Sequence, residues 1–216
     1  SESDTFGTVT LPATTSETAV GFYVAEGSLD LAIFTATSTV NGTTQTALTP
    51  PRKYTGLQAS LGRAGLQGID AVQLIATGLS VKLNKTSVVD NTATPTVTEG
   101  QLLDWSALDT DELGLELRAD EALEIGGSLG LSVASVVYAS ASFSLSRSAA
   151  SGIDDPDEAT TQTLSGQMLT LSISQATLFI GSGASLDTDS ESATFGAVTL
   201  PASDDPTAVG FYVAEG

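Results

Sequence analysis

Apolar and polar residues alternate with a period of two along most of this chain, the pattern of side chains that leave a β-strand on opposite faces. Six windows carry it most clearly: YVAEGSLDL, LQASLGRAGLQ, LIATGLSVKL, LELRADEALEI, VYASASFSLS and LSISQATLFI, centred near Glu26, Leu61, Thr77, Asp120, Ser140 and Gln175. In the first, Tyr23, Ala25, Gly27, Leu29, Leu31 and Ile33 fall into one apolar row. In the fifth, Val137, Ala139, Ala141, Phe143 and Leu145 form one face and Ser140, Ser142, Ser144 and Ser146 the other, so that strand shows water on one side. Small residues sit near the middle of each window, which predicts a bend or a close approach of a facing backbone.

Spacing selects the way these strands join. The centres at Leu61 and Thr77 lie 16 residues apart. Successive rungs of a parallel coil would need the chain to return along a strand of roughly 35 Å, at about 3.3 Å per residue. About six residues are free for that return, and they reach roughly 20 Å. An antiparallel hairpin turning at Gly68-Ile69-Asp70 fits instead, with Ser60 opposite Gly78 and Gly62 opposite Ala76. Beyond that point both strands change phase together, which predicts a β-bulge or a sheet crossing. The fold expected is therefore all-β, of long bent antiparallel hairpins forming a β-sandwich or a continuous two-sheet rod, with a β-solenoid as the alternative. Three hairpin units are expected, at about 56–86, 114–147 and 169–216. The polar stretches 35–54, 86–112 and 147–167 read as connections. EGQLLDWSALDTDEL allows one short helical turn, with Trp105 as a lid on one end of the core.

The chain also repeats itself. Residues 1–27 return as residues 190–216, an offset of 189, with only six of the 27 positions changed: Asp4/Ala193, Thr8/Ala197, Thr14/Ser203, Thr15/Asp204, Ser16/Asp205 and Glu17/Pro206. Such identity marks recent tandem duplication. The expected organisation is the end of one repeat at 1–27 and one full period of about 189 residues at 28–216, a window on a longer array of the same units.

Composition narrows the chemistry. Twenty-six acids against seven bases give a net charge of -19, a field that repels nucleic acid and anionic lipid. There is no Cys and no His, which removes disulfides, thiolate and imidazole metal sites, and nucleophile systems that use His as base. The apolar residues occur in short alternating runs and never in a membrane-spanning stretch, so no membrane insertion is expected. No basic segment followed by an apolar one opens the sequence, so an export signal would lie outside it.

The acidic clusters are the candidate cation ligands: Asp154, Asp155, Asp157 and Glu158; Asp187 and Asp189; Asp109, Asp111 and Glu112; Asp204 and Asp205. Ca²⁺ takes six to eight oxygens from flexible loops, and D-x-D spacing supplies several from one turn. None matches an EF-hand loop or the glycine-rich nonapeptide repeat, and solvated loops that blunt strand edges are the plainer reading. The last pair is Thr15 and Ser16 in the first copy, so no unit-wide site depends on it. Arg52, Lys53 and Arg63 are read as local salt-bridge partners of acidic loops, and Phe22, Tyr23 and Tyr138 as core aromatics. No pair of carboxylates stands out as a glycosidase acid and base, and the chain is not expected to be an enzyme.

The segments GLQASLGRAGLQGIDAVQLIATGLSVKLNK, LDWSALDTDELGLELRADEALEIGG, VVYASASFSLSR and AVGFYVAEGSLDLAIFTA resemble the long tandem repeats of very large exported bacterial adhesin-like proteins, of the LEPR-XLL type and often found beside RTX calcium repeats. The resemblance covers nearly the whole chain and implies export, a cell-surface or secreted fibre, and adhesion. It brings no active-site residues. The expected function is a structural repeat of an extracellular filament or adhesin stalk, with neighbouring repeats or other copies of the protein as partners. The alternative is a calcium-rigidified module that binds a glycan or other surface ligand.

Overall fold

The structure, a computed structural model, describes residues 20–69, 71–87, 101–108, 114–156 and 162–214. The described chain is all-β and antiparallel. β1 (Gly21–Asn41), β2 (Thr44–Gln67), β3 (Val72–Thr86), β4 (Glu121–Val133), β5 (Val137–Asp154) and β6 (Thr163–Ser182) form a meander. After two short strands, β7 (Ser185–Leu186) and β8 (Val198–Thr199), the chain returns as β9 (Val209–Ala214) to pair with β6. The order of the large sheet is β1-β2-β3-β4-β5-β6-β9, and β7-β8 is a small second layer packed on it. All pairings among the described residues are antiparallel, as a hairpin array requires and a parallel solenoid does not.

Several local expectations are corrected. Most of 35–54, and residues 147–154 and 163–167 of the third connection, are strand. β1 and β2 meet at Asn41↔Thr44, and β5 runs to Asp154 opposite Thr163. Their Thr and Ser residues suit strands that few neighbours cover. In the β2–β3 hairpin the turn lies one residue later than expected, with Val72 N donating to the Ile69 carbonyl at 2.9 Å. A one-residue move of the turn shifts the register by two, so Ser60 faces Ser80 and Ala64 faces Ala76. The fourth window is not a strand through Asp120: Ala119 and Asp120 form a turn, and the glycine pair inside β4 is Gly126-Gly127. The described part of the Trp105 segment, residues 101–108, makes a single turn where one was expected, Leu108 N donating to the Trp105 carbonyl at 3.2 Å.

The mid-strand bends are present and line up across the sheet. Glu26, Gly78 and Gln175 have φ of 59°, 58° and 53°. Gly62 lies level with Glu26 on one side and Gly78 on the other, between the pairs Leu61↔Leu79 and Arg63↔Thr77. The β3–β4 ladder shifts between Thr77 and Ser80, and the β5–β6 ladder between Ser140 and Ser142. A left-handed residue costs roughly 1–2 kcal/mol unless it is glycine, and both exceptions are tethered. Glu26 ion-pairs with Arg63, and the Gln175 amide oxygen accepts from the Ser142 hydroxyl at 3.1 Å.

These bends reverse the facing of the side chains in β1, β2, β3 and β6, while β4 and β5 alternate without interruption from Leu123↔Arg147 to Val133↔Val137. The single row expected in β1 is thus split: Tyr23 and Ala25 lie on one face, Leu29, Leu31 and Ile33 on the other. Across the sheet the reversals bring apolar residues to one face on both sides of the bends. Phe22, Leu66, Leu74, Leu131, Ala139, Leu178 and Val213 form one registered row; Leu29, Ala59, Val81, Ile125, Leu145 and Leu171 form another.

The opposite face is the covered one, and it carries two clusters. Beyond the bends on one side, Trp105, Leu115 and Leu117 pack on Ala32 and Tyr54. Asn84 completes that cluster: its oxygen accepts from Trp105 Nε1 at 3.1 Å, and its amide donates to the Leu103 and Arg118 carbonyls at 2.8 and 2.9 Å. All of this satisfies a buried polar side chain. On the other side, Ile75, Tyr138 and Phe179 are covered by Ala184, Leu186, Phe195, Val198 and Leu200. Tyr138 is therefore a core aromatic and Tyr23 is partly buried, whereas Phe22 is exposed.

Candidate functional site

The duplicated segment builds the last part of the molecule. Val209–Ala214 repeats residues 20–25 one for one, and it is β9. It pairs with the second half of β6, from Thr177↔Ala214 to Ser182↔Val209. The stretch just before it, 190–208, repeats residues 1–19 and supplies most of the cover over Ile75, Tyr138 and Phe179. One cluster is thus closed largely by the second copy of the duplicated segment.

Close contact fixes this cover in place. The Gly196 carbonyl lies so near Gly130 that a Cβ there would stand 2.1 Å from it. Arg63 reaches the cover from β2, donating from Nη1 to the Ser190 carbonyl at 2.9 Å while its other nitrogen pairs with Glu26. The expected salt bridge of Arg63 therefore exists, but with a strand residue and not an acidic loop. Both side chains are part-exposed, so the ion pair adds little by itself. Burial pushes the Tyr23 hydroxyl pKa up, and the Arg63 charge partly opposes that shift.

The two sheet edges match in character. Among the described residues, 163–176 of β6 pair only with β5, and Leu169, Leu171 and Ile173 are exposed at 64, 62 and 60%. At the other edge, Leu29, Leu31 and Ile33 of β1 are similarly bare.

The acidic candidates are scattered. Asp154 ends β5 and Asp155 follows it, its N donating to the Gln162 carbonyl at 3.1 Å. Asp157, Glu158, Asp109, Asp111 and Glu112 lie outside the described residues. Asp187 and Asp189 shape the turn between β7 and β8. Asp187 accepts from the Thr194 hydroxyl at 2.7 Å and from Asp189 N at 3.0 Å, and Asp189 accepts from Glu191 N at 3.0 Å. Hydrogen bonding to Ser192, Thr194 and Asp189 N holds the Asp187 carboxyl below its usual pKa. Asp205 is lowered in the same way by the Thr207 hydroxyl and N. Among the described residues no three acidic side chains converge as a metal group. A cleft of about 600 Å³ where β3 parts from β4 and β5 is lined by Asn84, Lys85, Thr86, Asp120 and Arg147. Among the described lining residues Asp120 is the one carboxylate.

No protein-family model matches the chain, and neither a curated protein nor a solved structure shows significant similarity to it.

Proposed function

We propose that the chain is a structural unit of an extracellular tandem-repeat filament or adhesin stalk, which grows by adding strands at the sheet edge. The observation that carries this reading is the position of the duplicated segment: its second copy supplies both the seventh strand and much of the lid over one core cluster. In an array, each period would supply six strands, and the next period's β1 would lie along β6. The β6–β9 register, applied to β1, puts Thr177 beside Ala25 and then Ile173, Leu171 and Leu169 beside Leu29, Leu31 and Ile33. Both strands reverse at this level, at Gln175 and Glu26, so their apolar residues stay on the same face. Six strands at about 4.8 Å each advance the sheet by about 29 Å per period.

The proposed work is mechanical: length, presented at a cell surface, without catalysis. A chain of two full periods followed by the same 27-residue overlap tests it. Small-angle scattering should show the longest dimension increasing with each added period, by about 29 Å less what sheet twist removes. Two independent globules joined by a flexible link would refute it.

A further inference from the structure

Apart from Ala64 and Ala76, which are buried near the level of the bends, no covering cluster lies on the apolar face of the large sheet among the described residues, although the opposite face has two. Phe22, Leu129, Ile173 and Phe211, on four different strands, are exposed at 65, 43, 60 and 63%. The face is about 30 Å wide across six strands and about 40 Å long, roughly 1,200 Å². A monomer rarely leaves more than a few hundred Å² of contiguous apolar surface to water, and a standard stable interface takes about 800 Å² from each partner.

Charge separates the two faces as well. The two registered apolar rows contain no charged residue, and the row beside them, Leu31, Leu57, Leu83, Leu123, Arg147 and Leu169, adds only Arg147. Like-charge repulsion between two copies is therefore weakest here. The face also runs on through the β6–β9 joint, since Leu178 is level with Val213 and Ile180 with Phe211. A partner that covers it must be apolar, of matching breadth and bent at the same level, and a second copy meets each requirement.

We infer that this face is an interface at which two copies of the chain pack together as the two layers of a β-sandwich, about 10 Å apart. The inference does not depend on edge-to-edge growth, and the two associations differ in symmetry. Identical faces meeting across a twofold axis close at a dimer, whereas edge addition is head-to-tail and open-ended. Lipid is the less suited occupant, because a membrane barrel needs a polar lumen face and this sheet's other face carries both apolar clusters.

Sedimentation velocity of the full chain from about 1 to 100 µM tests the inference, with neutral phosphatidylcholine vesicles as a flotation control. The expected result is a closed dimer that becomes a folded monomer in Leu129→Lys and is unchanged in Ser144→Lys, on the opposite face. Should Leu129→Lys fail to fold, Leu129→Thr decides: a dimer weakened about tenfold or more supports the interface, and unchanged affinity overturns it. A wild-type chain that stays monomeric throughout overturns it. So does an open ladder of oligomers indifferent to Leu129→Lys, or a monomer that floats with the vesicles.

Discussion

Extending the chain beyond Gly216 by a second copy of residues 28–41 would carry the short β9 on to the full length of β1. The added residues would run along the half of β6, residues 163–176, that now pairs only with β5. Ladder hydrogen bonds contribute about 0.5–1.5 kcal/mol each, against about 1–2 kcal/mol per residue for ordering the added backbone. Per residue those two ranges overlap only in part, so the ladder at best breaks even and apolar pairing decides whether the strand docks. Ile173, Leu171 and Leu169 would each gain a Leu or Ile partner, at about 0.2–1 kcal/mol per pair. The three pairs sum to about 0.6–3 kcal/mol, and at about 2–4 °C per kcal/mol for a domain of this size the melting temperature should rise by about 1–12 °C. Circular dichroism melting of the extended and original chains measures it. A control extension with Ser in place of the three apolar residues should recover much less. An equal rise for both extensions, or none for either, would refute edge growth.

Three further outcomes follow from the geometry. Adding millimolar Ca²⁺ and then chelator should move the melting temperature by less than about 2 °C, no more than Mg²⁺ does; a large calcium-specific shift would restore Asp187 and Asp189 as ligands. Gln175→Gly should be close to neutral, the relieved φ offsetting the lost Ser142 bond, while Gln175→Val should cost about 1–3 kcal/mol by forcing a β-branched residue into the same left-handed backbone; equal melting of the two would show that the bend is not strained. The lowered carboxyls of Asp187 and Asp205 stabilise the fold above the ordinary carboxylate pKa, and that contribution is lost as pH falls through their depressed values. Asp187→Asn should therefore flatten the fall in melting temperature below about pH 4, and an unchanged acid limb in that variant would show that the turn plays no part.

Strand content and antiparallel pairing were legible because alternation and spacing are local, and Glu26 and Gln175 fall at both the expected centres and the observed bends. Facing was not legible. Counting by twos through Glu26 puts Tyr23 and Leu29 on one face, and only the left-handed backbone there, invisible in a Glu codon, separates them. The β1–β2 hairpin was missed despite a strong signal, Asn41-Gly42, whose glycine has φ of 62°; the surrounding Thr and Ser residues read as a loop. Leu115 and Leu117 alternate like strand residues, yet they lie over the sheet, because a two-residue period records a buried side and not which layer provides it. For the acidic groups, sequence proximity showed crowding, but the turn at Asp187 directs its oxygens to hydroxyls and amides of its own loop.

The duplicated hexapeptide has a topological consequence. The start of β1, with the residue before it, carries the same Val-Gly-Phe-Tyr-Val-Ala run as β9, so the place beside the end of β6 would accept either one. If the chain's own β1 took it, the six long strands would close into a ring with no edge left to extend. β9 is tethered to β6 by only the residues 183–208, and its effective concentration at that place is correspondingly high. By occupying the seam first, the borrowed strand keeps the sheet an open ribbon.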